Sequence, residues 1–161
     1  MARRRILVTY VIAWLTAIGT VLRYVSRSLS YPETLSSDTL RQLAVLFAAF
    51  FALLLIEPWL TRRSTRYSHL YLLAQSLIIT VVSLLTPNVD YFATLIVVLV
   101  IQALVIFPFD VGLRWVVALT VLMVILMLYG HPIDQGVPLA IIMSMIYLFI
   151  AAFVAVASDA D

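Results

Sequence analysis

The stretch "YFATLIVVLVIQALVIFPF", residues 91–109, runs for nineteen residues without a charge and with a single amide, Gln102. A helix rising about 1.5 Å per residue needs about 20 apolar residues to cross ~30 Å of hydrocarbon. This segment therefore reads as a membrane span. Five further apolar stretches of similar length, at 6–25, 40–60, 67–86, 113–129 and 137–157, flank it. Turn-forming clusters separate them: "SRSLSYPETLSSD", "TRRSTR", "TPNVD", "PFDVG" and "GHPIDQG". The expected fold is all-α, a polytopic membrane protein built as one six-transmembrane-helix bundle of antiparallel neighbours, with no second domain.

Composition points the same way. Hydrophobic residues make up 65% of the 161 residues and charged residues only 11%, where a water-soluble domain carries about a quarter charged. A chain this short cannot hide so much apolar surface in its own core, so lipid must serve as part of its solvent. With no cysteine, disulfides and thiolate metal sites are excluded. No broad basic face suits a nucleic acid.

Arginine supplies all the positive charge. Arg3, Arg4 and Arg5 precede the first span, Arg62, Arg63 and Arg66 fill the second loop, and Arg114 follows the fourth span. Arg23, Arg27 and Arg41 fall on the opposite side, a division of seven against three. The positive-inside rule then predicts cytoplasmic N and C termini. A secretory signal at the basic start is the competing interpretation; the apolar run continuing to Val25 favours a retained span.

Ionisable residues at the bilayer centre usually mark chemistry, because a charge there costs several kcal/mol. The middles of all six stretches lack them. Glu57, before Pro58, is the deepest acid and reads as an interfacial carboxylate near Arg62, Arg63 or Arg114, with proton carriage as the sharper alternative. His69 and His131 are expected at opposite membrane faces, so they cannot share a metal, and no three-ligand cluster is visible. No nucleophile has a visible base. No catalytic residue, cofactor or metal site is therefore assigned. The six prolines lie in loops or at span ends, unlike the broken helices of many transporters.

Three polar or small-residue patterns remain. Gln75 and Gln102 each lie 13.5 residues from the centre of the "TPNVD" turn, roughly 20 Å down their helices. Equal depth predicts a hydrogen-bonded structural pair, with a ligand-binding pair as the alternative. Thr9, Ala13, Ala17 and Thr20, and likewise Ala44, Ala48 and Ala52, form stripes suited to close helix contact, within the chain or in a dimer. Ser144, Leu148, Ala151, Ala155 and Ser158 alternate by four and three, the spacing of a coiled-coil seam, which suggests an output helix. Ordinary packing of the last span explains that spacing equally well. Trp59 and Trp115 on one side, and Tyr24, Tyr31, Tyr91, Phe92 and Tyr129 on the other, suit interfacial belts.

"EPWL", "YLLAQSLI", "LTPNVDYFATLIVVLVIQALVIFPFDVGLRW", "LYG" and "FVAVASDAD" together resemble the N-terminal multi-span sensor region of bacterial two-component histidine kinases. The likeness is to those whose catalytic core partners NarL-type response regulators, and it covers nearly the whole chain. It rests on span rhythm and loop wording, because no phosphoacceptor histidine motif or glycine-rich ATP lid is present. The resemblance implies a dimeric membrane module that senses a bilayer or small-molecule signal and relays it through the last span. Its kinase core in cis and its response regulator would belong to a longer parent protein, with this chain ending where the signalling helix begins. A small transporter or an oligomeric channel subunit is the alternative.

Overall fold

A computed structural model describes the backbone of residues 2–30, 36–86 and 93–159. It describes the side chains of 11–27, 30, 36–86 and 94–156. Six α-helices occupy these residues: α1 (Ala2–Ser30), α2 (Ser37–Thr61), α3 (Thr65–Leu85), α4 (Ala93–Ile106), α5 (Phe109–Gly130) and α6 (Ile133–Asp159). Four of them, α2, α3, α5 and α6, are each long and apolar enough to cross a membrane. Their outward apolar side chains, such as Leu55, Leu77, Val121 and Phe149, suit lipid better than water.

Local chemistry sets the helix ends. The Ser36 hydroxyl accepts the Thr39 N–H at 3.1 Å, and Ser64 accepts the Arg66 N–H at 3.2 Å. Each bond satisfies a donor that the first helical turn leaves open. Pro108 has no N–H to continue α4 and instead stands as the N-cap of α5. Pro132 precedes α6 in the same way.

Two stretches expected as turns are mostly helical for this reason. "PFDVG" is helical from Phe109 and "GHPIDQG" from Ile133. Proline starts helices as readily as it ends them, and the glycines there serve packing. A methyl group at Gly112 would sit 2.9 Å from the Ala103 carbonyl oxygen of α4, and one at Gly136 would sit 3.0 Å from that of Met127. Consequently α4 and α5 are joined by Phe107 and Pro108 alone.

The bundle is organised around α4. Leu95, Ile96, Val98, Leu99, Val100 and Ala103 are all buried, and the helix contacts α1, α3, α5 and α6. A helix apolar on nearly every side suits either the protein interior or lipid. Its fourteen residues reach only ~21 Å. On α1 the stripe Ala13, Ala17 and Thr20 is buried, and α1 lies against α4. By contrast Ala44, Ala48 and Ala52 of α2 are exposed. The buried face of α2 is Leu43, Phe47, Phe50, Leu54 and Glu57, and large rings join it to α1: Trp14 stacks on Phe51 at 5.6 Å and Tyr24 meets Phe47 at 5.9 Å.

Gly112→Ala should therefore lower the stability of the detergent-solubilised chain by about 1–3 kcal/mol through overpacking. Gly19→Ala, with nothing within 4 Å of the added carbon, should be neutral or mildly stabilising. Denaturant midpoints of the two variants check this, and equal midpoints would contradict it.

Candidate functional site

Polar side chains inside the bundle gather where α2, α3 and α4 meet. Gln75 of α3 is 0% exposed and Gln102 of α4 is 4% exposed. They do not bond to each other directly; the Tyr71 hydroxyl, one turn before Gln75, stands between them. Gln75 Nε2 donates to the Phe50 carbonyl of α2 at 3.1 Å and to Tyr71 Oη at 3.3 Å. Tyr71 Oη donates in turn to Gln102 Oε1 at 3.1 Å.

The direction of this relay is dictated at one end. A backbone carbonyl can only accept, so the Gln75 NH2 must face Phe50. Its second hydrogen then occupies the Tyr71 oxygen, and the Tyr71 proton is left for Gln102. Two buried atoms, Gln75 Oε1 and Gln102 Nε2, have no hydrogen-bond partner among the described residues. One is an acceptor and the other a donor, so a small polar molecule bearing both functions would match them.

The α2–α3 register extends the polar zone. Phe50 sits opposite Gln75, so Glu57, seven residues on, lies level with Ser68, seven residues back. Both are buried, Glu57 to 1% exposure. The Thr61 hydroxyl donates to the Glu57 carbonyl at 2.9 Å and reaches its carboxylate Oε1 at 3.3 Å. Glu57 also interacts electrostatically with Arg62 and with Tyr71. The carboxylate expected at the interface is thus drawn into the α2–α3 seam. Glu57, Ser68, Tyr71, Gln75 and Gln102 make a ladder of buried polar positions from the α2–α3 connection into the bundle, of which Tyr71, Gln75 and Gln102 are joined by hydrogen bonds.

Sequence reasoning missed Ser68 and, with more consequence, Tyr71. An aromatic near the start of an apolar stretch reads as an interfacial belt residue. The available signal was its spacing of four from Gln75, which places two polar groups on one helix face.

A second polar tie holds α4 to α1, where the Thr20 and Thr94 hydroxyls lie 2.8 Å apart. At the other end of α4, His69 stacks on Phe107 at 4.5 Å, and its Nδ1 accepts from Trp115 Nε1 at 2.9 Å. Phe107 and Trp115 are also near-parallel at 6.5 Å. His131 caps the far end of α5, sixteen residues from Trp115 and hence ~24 Å away along the helix. Among the described residues no three His, Asp or Glu side chains group as a metal site.

The residues of the last-span seam divide between two faces. Ala151 is buried and Ser144 and Ala155 are half-buried, whereas Leu148 is 62% exposed. Ser144 and Leu148 line an open apolar groove with Val124, Leu128, Ala140 and Met145. The Ser158 side chain lies outside the described residues, as do those of Arg3, Arg4 and Arg5. Arg62, Arg63 and Arg66 are exposed at the α2–α3 connection, with the Arg63 guanidinium 3.7 Å over the Trp59 ring. In comparisons with known proteins, the chain matches no protein family, no curated protein and no solved structure.

Because both amides bond to one hydroxyl, Gln75→Leu and Gln102→Leu should be energetically coupled without touching. The expected coupling in a double-mutant cycle exceeds about 0.5 kcal/mol and vanishes in a Tyr71→Phe background. Additive losses with Tyr71 present would contradict the relay.

Proposed function

We propose that the chain is the membrane-embedded sensory module of a two-component histidine kinase, a six-span N-in/C-in bundle of the bacterial inner membrane. It works as a homodimer among membrane lipids, with α6 as the output helix leading to a kinase core in cis and from there to a response regulator. The observation that supports this most is the unequal hold on the helices. α4 is buried along most of its length and tied by hydrogen bonds to α1 and α3. By contrast α6 meets α4 and α5 through Ala140, Tyr147 and Ala151, leaves Leu148, Phe149 and Phe153 outward, and has 17% of its apolar stretch buried, the least of the four long apolar helices.

Its backbone is helical for 27 residues, with Pro138 near its start, so one helix runs from the membrane level to the proposed junction. A switch requires an element with two arrangements, and α6 is assigned that part. The resemblance in span rhythm and loop wording to histidine-kinase sensor regions supplies the identity of the output.

A specific observation favours the rival transporter or channel. Glu57 is a buried carboxylate beside Pro58, at the head of the polar ladder, and buried carboxylates within membranes often carry ions or protons.

Fusing the end of α6 to a NarL-partner kinase core, with insertions of zero to four residues after Ser158, separates the two. Autophosphorylation should rise and fall with the helical phase of the insert. Phase-independent output, or proton or solute flux through proteoliposomes that Glu57→Gln abolishes, would contradict the sensory assignment.

A further inference from the structure

The end of the bundle that holds the α2–α3 and α4–α5 connections gathers positive charge around an aromatic platform. Arg62, Arg63, Arg66 and Arg114 are all exposed there. The carboxylates at the same end, among the described side chains, are Glu57, which is buried, and Asp110, which is exposed. Arg62 acts on Glu57 and Arg63 lies over Trp59. The side chains of Arg66 and Arg114 hold no hydrogen bond or ion pair among the described residues.

The His69–Phe107–Trp115 stack fixes where these two arginines stand. His69 is one turn beyond Arg66 on α3, and Trp115 directly follows Arg114 on α5. Their hydrogen bond at 2.9 Å locks the starts of α3 and α5 side by side. Accepting through Nδ1 leaves the proton of neutral His69 on Nε2, a donor with no partner among the described residues. Both helices present their N-termini at this end, and α5 has no side-chain cap there, so the backbone dipoles add to the attraction for an anion. Outward apolar side chains, Leu70 and Leu73 of α3 and Val117 of α5, continue from the charged rim along the same two helices.

We propose that Arg66, Arg114 and the Nε2–H of His69 form a headgroup site for an anionic phospholipid, whose acyl chains lie along the outward faces of α3 and α5. A phosphate flanked by two guanidinium groups and a ring N–H accepts several charge-assisted bonds. An apolar surface directly below it suits a lipid better than a free phosphate. Arginine clusters at the ends of spanning helices commonly serve anionic headgroups in this way. The site depends on the chain lying in a bilayer and is independent of any signalling role.

The test is native mass spectrometry of the full, delipidated chain in detergent, titrated with phosphatidylglycerol or with phosphatidylcholine. Phosphatidylglycerol should bind at least about tenfold tighter. Arg66→Gln with Arg114→Gln should weaken it about twenty-fivefold, roughly fivefold per arginine, while Arg27→Gln with Arg41→Gln at the opposite end changes it less than twofold. Lysine at both positions should restore most of the preference, which separates lost charge from misfolding. Equal binding of the two lipids, an equal loss from the opposite-end pair, or failure of lysine to restore binding would overturn the site. Displacement by millimolar inorganic phosphate would also overturn it, by revealing a free-anion site.

Discussion

An apolar helix bearing one buried amide has to find protein on every side and a hydrogen-bonding partner at one depth. This constraint on α4 organises the rest of the bundle. Lipid could solvate Leu95, Val98 and Leu99 as well as protein does, so hydrophobicity alone does not bring α4 inside. Close approach and polar partners do: the Thr20–Thr94 hydroxyl pair on α1, the Tyr71 hydroxyl on α3, and the gap at Gly112 that lets α5 reach the Ala103 backbone. Packing of small residues and satisfied polar groups are the main forces left to membrane helices once water is absent.

Around this centre the helices differ in freedom. α2 and α3 pack together and are joined by the Gln75–Phe50 bond. The N-terminal ends of α3 and α5 are locked by the His69–Trp115 bond. On α6, the Ser144 hydroxyl turns back to its own Ala140 carbonyl, and the helix rests on its neighbours through Ala140, Tyr147 and Ala151. α6 meets both α4 and α5, and because α4 carries Gln102, the buried polar residues lie one helix away from α6.

Much of this was legible in the sequence, because span length, charge clustering and turn residues are local properties. The depth match of Gln75 and Gln102 could be counted from the intervening turn, yet the group joining them could not, since a hydroxyl on an aromatic ring is as often interfacial as buried. Glu57 reads as an interfacial carboxylate because its burial depends on how α2 packs against its neighbours, a tertiary fact. Proline and glycine misled in the "PFDVG" and "GHPIDQG" stretches, where they start a helix or permit contact instead of making a loop. The small-residue stripes of α1 and α2 look alike in sequence, but α1 is spent on contact with α4 while the alanines of α2 face outward. Only the position of α4 distinguishes them.

In this arrangement α4 is largely shielded from lipid and α6 is not. Photolysis of a lipid-soluble diazirine in proteoliposomes containing the full chain, followed by peptide mapping, measures this directly. Carbene adducts should concentrate on the outward α6 positions Leu148, Phe149 and Phe153 and be nearly absent from residues 95–104. Labelling of α4 as heavy as that of α6 would contradict the account.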